Sequence, residues 1–178
     1  SSNTYVGWSF KKAAKFFDIV TYTGNGTAGR TVAHSLNDTV GMIMVKNLSQ
    51  TDQWSVYHRG ADGSAPQNYE FHLDANSARD DQAAWNDTAP TSSVFTVGTD
   101  HTVNASGEPY IAYCWHSVAN YTKIGTYTGD ATTDGSLSTI PLPFTKTKVL
   151  AVPKSIAISV DQISLILLKK SNIFLYTF

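Results

Sequence analysis

Two stretches of the chain, 105 positions apart, repeat one another. Tyr5-Val6-Gly7-Trp8-Ser9-Phe10 shares an alternation of aromatic and small residues with Tyr110-Ile111-Ala112-Tyr113-Cys114-Trp115. At the same offset, Ile19-Val20-Thr21-Tyr22-Thr23-Gly24-Asn25 matches Ile124-Gly125-Thr126-Tyr127-Thr128-Gly129-Asp130. One offset shared by two separate motifs points to a repeating array. On that reading residues 1–15 are the last strand of a preceding repeat and a linker. Residues 16–121 form a complete β-sandwich repeat, and residues 122–178 a partial second repeat with a divergent, strand-like tail. Arrays of small modules serve reach, display and attachment more often than a single chemical step.

The local patterns are short and β-like. Period-two alternation and β-branched or aromatic runs predict strands over residues 5–10, 16–23, 30–35, 41–46, 54–59, 69–73, 94–97, 102–105 and 110–116. Gly41-Met42-Ile43-Met44-Val45-Lys46 is nearly all apolar, as expected of a strand buried on both faces. Gly24-Asn25-Gly26 and Gly60-Ala61-Asp62-Gly63 carry turn chemistry, and the first reads as a hairpin turn. Residues 74–84 are polar and admit a short helix. About eight short strands in the full unit give an all-β, antiparallel β-sandwich or jelly-roll-like module. After Asp134 the second copy drifts, and residues 156–178 have no counterpart in the first unit, although Ile156, Ile158 and Val160 alternate as in a strand.

Composition narrows the function classes. Charged residues make up 15% of the chain and the net charge is -1, so a basic face for nucleic acid is not expected. No run reaches the ~18 uninterrupted apolar residues of a membrane span, so membrane insertion is not expected. The single cysteine, Cys114, permits no internal disulfide and reads as a small buried residue of a chain folded in a reducing cytoplasm.

Motifs for chemistry are weak. Gly24-Asn25-Gly26-Thr27-Ala28-Gly29-Arg30 lacks the Gly-Lys-Ser/Thr that a phosphate loop needs at a helix start. His34, His58, His72, His101 and His116 show no structural-zinc spacing, though neighbouring strands would bring His58 and His72 together. Asp74-Ala75-Asn76-Ser77-Ala78-Arg79-Asp80-Asp81 offers alternate oxygen ligands but breaks the calcium-loop pattern at Ala78. Glu70 and Glu108 are the only glutamates, one on a strand face and one in a turn, and do not read as a glycosidase pair. No catalytic residue, metal site or cofactor is therefore expected, and the chain reads as a non-enzyme.

Aromatic residues are the better lead. Most of the 4 tryptophans, 9 tyrosines and 8 phenylalanines belong in the core. Trp85 sits in the polar context Ala84-Trp85-Asn86-Asp87-Thr88. An indole beside Asn86 and Asp87, with Tyr57 near, suits stacking on a sugar ring; the alternative is a tryptophan that plugs one end of the sandwich.

Trp85-Asn86-Asp87-Thr88-Ala89-Pro90-Thr91-Ser92-Ser93-Val94-Phe95-Thr96-Val97-Gly98, together with Phe16-Phe17-Asp18-Ile19-Val20-Thr21-Tyr22-Thr23-Gly24-Asn25-Gly26, Gly41 to Asn47, Trp54 to Arg59 and Tyr110 to Tyr113, resembles repeat domains of tail-fibre-like and appendage proteins of marine bacteriophages, especially those infecting cyanobacteria. The likeness spans about residues 5–129. It implies an all-β virion structural protein, assembled in the host cytoplasm, and brings no catalytic residues with it. The expected role is a tail fibre or capsid appendage contributing to host attachment. Its partners would be further copies, a trimer among the options, other virion proteins or a host surface glycan. Ile158, Val160, Leu165 and Leu167 are the expected assembly residues, because an apolar strand-like tail without a partner is an aggregation hazard. The rival readings are a carbohydrate-binding adhesin and, more remotely, a polysaccharide depolymerase.

Overall fold

Alternation along the chain becomes antiparallel sheet in the computed structural model, which describes Gly7, residues 9–127 and, as backbone alone, two later strands. The strands are β1 (Phe17–Thr23), β2 (Arg30–Ala33), β3 (Met42–Asn47), β4 (Ser55–His58), β5 (Tyr69–His72), β6 (Asp80–Asp81), β7 (Val94–Val97), β8 (Pro109–Trp115) and β9 (Thr122–Gly125). The backbone-only pair is β10 (Ser164–Leu167) and β11 (Phe174–Thr177). One short helix, α1 (His101–Asn104), precedes β8. The chain is thus all-β, as the patterning implies.

Six strands form one sheet in the order β1-β8-β3-β4-β5-β6. Its pairings are antiparallel, with Phe17 opposite Trp115, Met42 opposite both Trp115 and His58, and Ser55 opposite His72. Residues directly opposite share a face, so the register sorts the side chains. Val20, Tyr22, Ile43, Val45, Tyr57, Tyr110, Ala112 and Cys114 point inward. They meet a second layer built from the β2–β7 ribbon (Val32, Phe95, Val97) with Leu36, Val40, Trp85 and Val103, which completes a β-sandwich core. Ile43, Val45, Phe95, Val97 and Val103 are fully buried, each contributing about 1.5–3 kcal/mol of apolar transfer. β3, apolar from Met42 to Val45, lies between β8 and β4; Ile43 and Val45 enter the inner core while Met42 and Met44 join the outer cluster, which explains why both of its faces avoid polar residues up to Lys46.

Several expectations are revised. The turn after β1 is not a hairpin. It carries the chain from the six-stranded sheet to the ribbon, because Gly24 and Gly26 dock on the β8-side loop: Gly24 N–H donates to Glu108 O (2.8 Å) and Gly26 N–H to Asn104 O (2.8 Å). A Cβ on Gly24 would strike the Ala105 carbonyl, so the close approach requires glycine there. Residues 102–105 are not a strand, since Asp100 caps α1 by accepting from Thr102 N–H at 2.8 Å. Residues 74–84 form no helix; Asp80 and Asp81 pair instead with Glu70 and Tyr69 at the sheet edge. The expected count of strands in the unit survives because one lost strand is replaced by another. Within residues 5–10 the described Gly7, Ser9 and Phe10 are not in a strand.

β9, β11 and β10 form a second antiparallel sheet. Here β11 lies between β9 and β10 as β8 lies between β1 and β3. The 105-residue offset carries Phe17–Val20 of β1 onto Thr122–Gly125, the whole of β9. Of the expected assembly residues, Ile158 and Val160 lie outside the described residues, and Leu165 and Leu167 lie on β10.

Candidate functional site

The loop expected to grip a sugar is built as a plug. Asn86 (φ 51°) and Asp87 (φ 47°) take successive left-handed conformations, and Thr88 N–H closes the turn on Trp85 O at 3.1 Å. The turn faces solvent while the indole goes inward, where Trp85 is 1% exposed and meets Tyr57 edge-on at 5.9 Å and 72°. Tyr57 itself is 3% exposed. The sequence reading thus brought two true neighbours together but on the wrong side of the surface. Neither ring offers a face to a sugar, and only Asp87, with part of Asn86, remains outside. The apolar triplet Ala83-Ala84-Trp85 immediately before the turn was the available signal. Gly98 fixes the arrangement: its N–H donates to Ala84 O at 2.9 Å, and a Cβ there would collide with the Ala83 carbonyl.

Buried polar groups are mostly occupied in holding loops. The Asn104 amide donates to Gly98 O (2.6 Å) and Thr27 O (3.0 Å), while its carbonyl accepts from Asn25 N–H (3.0 Å). Tyr110 donates its hydroxyl to His101 O at 2.6 Å and accepts from Ala105 N–H at 2.9 Å. Asp18 binds Lys12 at 2.6 Å and accepts from the Ser35 N–H and hydroxyl. Burial alone would raise this carboxyl, but Lys12 and Ser35 outweigh it and hold it below the usual range.

Two titratable groups are less well served. Glu70 is 1% exposed, with the Thr102 hydroxyl at 3.4 Å and His72 Nδ1 at 3.8 Å, and burial raises its pKa. His58 is fully buried; its Nδ1 accepts from Gly60 N–H at 3.1 Å, its Nε2 has no partner, and burial drives its pKa down to about 4. His58 and His72 do not meet. Register places His58 on the outer face beside Met42, and His72 on the inner face opposite Ser55. Burial also pushes the Cys114 thiol up, which leaves it a packing residue. Among the described residues no group of three His, Cys, Asp or Glu is placed to hold a metal ion.

The outer face of the six-stranded sheet is the most distinctive surface. Along β8 the small Ala112 and Cys114 point inward, so Ile111, Tyr113 and Trp115 point outward. Tyr113 stacks on Trp54 (6.2 Å, 28°), Phe17 (6.4 Å, 14°) and Trp115 (6.1 Å, 25°). One end of this face is covered: Phe10 meets Trp115 edge-on at 6.2 Å, and Ile124 of β9 packs into the cluster of Phe17, Met42, Val56 and Trp115. Among the described residues the other end is open. Ile19 is 39% exposed, and Met44, Trp54, Phe71, Leu73, Ile111 and Tyr113 are half-buried. Small-large alternation in Tyr110 to Trp115 carried this signal in the sequence.

A family model described as a domain of unknown function (DUF7483) matches residues 1–140. The chain belongs to that family. The match runs unbroken from the first linker through β1–β9 and so includes the whole sandwich and its covered outer end. No curated protein and no solved structure matches the chain.

Proposed function

We propose that the chain is a non-enzymatic structural module of a bacteriophage virion, part of a tail fibre or capsid appendage, that contributes to host attachment as a homo-oligomer. The observation that carries this reading is the 105-residue recurrence within an all-β module, which carries part of strand β1 onto strand β9. Recurrence of this kind suits a scaffold assembled from like units. The resemblance of the Trp85 to Gly98 segment to phage appendage repeats supplies the setting, the virion. A low share of charged residues gives the neutral polar surface common on such particles. Attachment to a host glycan remains part of the proposal, but with the Trp85 and Tyr57 rings buried it needs another surface.

Antibodies raised against the chain test it. They are expected to decorate purified particles in electron micrographs and to slow adsorption to host cells. Particles that carry no label, from a phage expressing the protein, overturn the proposal.

A further inference from the structure

We propose that the outer aromatic face of the six-stranded sheet is the surface through which one copy of this module docks on another. The proposal rests on the repeat reading and extends it to a particular surface. What already sits on the covered end is informative. Phe10 is the residue that the 105-residue offset equates with Trp115, and it is Trp115 that Phe10 packs against, at 6.2 Å and 84°. Ile124 is equated with Ile19, and Ile124 reaches the same cluster, its side chain closing over Gly41 beside Trp115. Residues that the recurrence assigns to the units before and after thus converge on one face of the unit between them. Face-to-face sheet contact is the normal way for two such surfaces to pack, ~10 Å apart.

The open end continues the covered one without a break, since Tyr113 stacks on both Trp115 and Trp54. Ile19, Met44, Trp54, Phe71 and Tyr113 there form an apolar surface of the kind that marks a protein contact. Aromatic rings at its centre are typical of residues that dominate such contacts. The cations bordering this face are tied back: Lys46 of β3 donates to Gln50 O (3.0 Å) and Asp52 O (2.7 Å), and Arg79, over the Tyr69 ring at 4.0 Å, pairs with Asp62 at 3.1 Å. The occupant is therefore a second copy of this chain, presenting the same kind of face.

Sedimentation equilibrium on the whole chain, up to about 100 µM, tests this. The expected result is reversible self-association that Ile19→Arg weakens by at least about tenfold. Thr21→Arg, at an exposed position on the same strand face, is expected to do the same. Ala89→Arg, at an exposed position in the turn after Trp85 on the other layer of the sandwich, is expected to leave association unchanged. Thermal melts of each variant establish that it is folded. A monomer throughout the range, or association indifferent to both Ile19→Arg and Thr21→Arg, overturns the inference. Association through this face in a protein absent from virions would instead overturn only the virion proposal.

Discussion

His58 is the group whose protonation the fold tolerates least. It is 0% exposed, packed beside Gly60, and its Nδ1 accepts the Gly60 N–H, which leaves the single proton of the neutral ring on Nε2. Charging the ring would break that hydrogen bond and place an unpaired cation against Met42 and the outer aromatic cluster. Desolvation is the larger cause of the pKa drop and the Arg59 charge the smaller, together bringing it from 6.5 to about 4. The native state then binds fewer protons than the unfolded chain between those values. The stability contributed by a neutral His58 is therefore full above about pH 6.5 and declines as pH falls toward 4. At about 1.4 kcal/mol per unit the loss approaches roughly 3 kcal/mol, a large fraction of a domain's stability. Urea unfolding followed by tryptophan fluorescence at pH 7, 5.5 and 4 reads it. His58→Asn, which keeps an acceptor for Gly60 but cannot titrate, subtracts the other groups. The wild type is expected to lose about 3 kcal/mol more than the variant between pH 7 and 4. Parallel curves would refute the reasoning.

Other consequences follow from the same packing. Glu70 has the opposite sign: its raised pKa means the native state holds a proton that the unfolded chain has released, so its ionisation costs stability as pH rises above 4.5. Glu70→Gln is expected to gain on the wild type with rising pH and to match it near pH 4; a gain independent of pH would count against this account. Trp85→Ala removes a fully buried indole from the inner core and is expected to cost about 3–5 kcal/mol in denaturant unfolding, whereas a cost under about 1 kcal/mol would mean that the loop does not plug the sandwich.

The fold was largely legible, and the reason is periodicity. β1, β3, β4, β5, β7 and β8 all fall where alternation or a continuous apolar run placed them, because a strand with a buried face writes a period of two into its sequence. The failures occurred where local pattern competes with a contact distant in sequence. Thr102 to Ala105 looks like a strand until Asp100 caps it as a helix. Gly24-Asn25-Gly26 looks like a hairpin, yet its backbone hydrogen bonds run to Asn104 and Glu108. Trp85 shows the same limit at the level of the site, since its polar sequence neighbours say nothing about Tyr57, which lies across the core.

The sequence by itself determined that the chain is antiparallel β, that Cys114 is buried and that β3 is central, since each follows from side-chain spacing and polarity along one strand. It also carried the recurrence that equates β1 with β9 and Phe10 with Trp115. Only the tertiary structure decided which strands share a sheet, which rings are sealed in the core and which stand on the outer face. Those outcomes depend on register between strands distant in sequence, and a one-residue change in register would exchange the two faces.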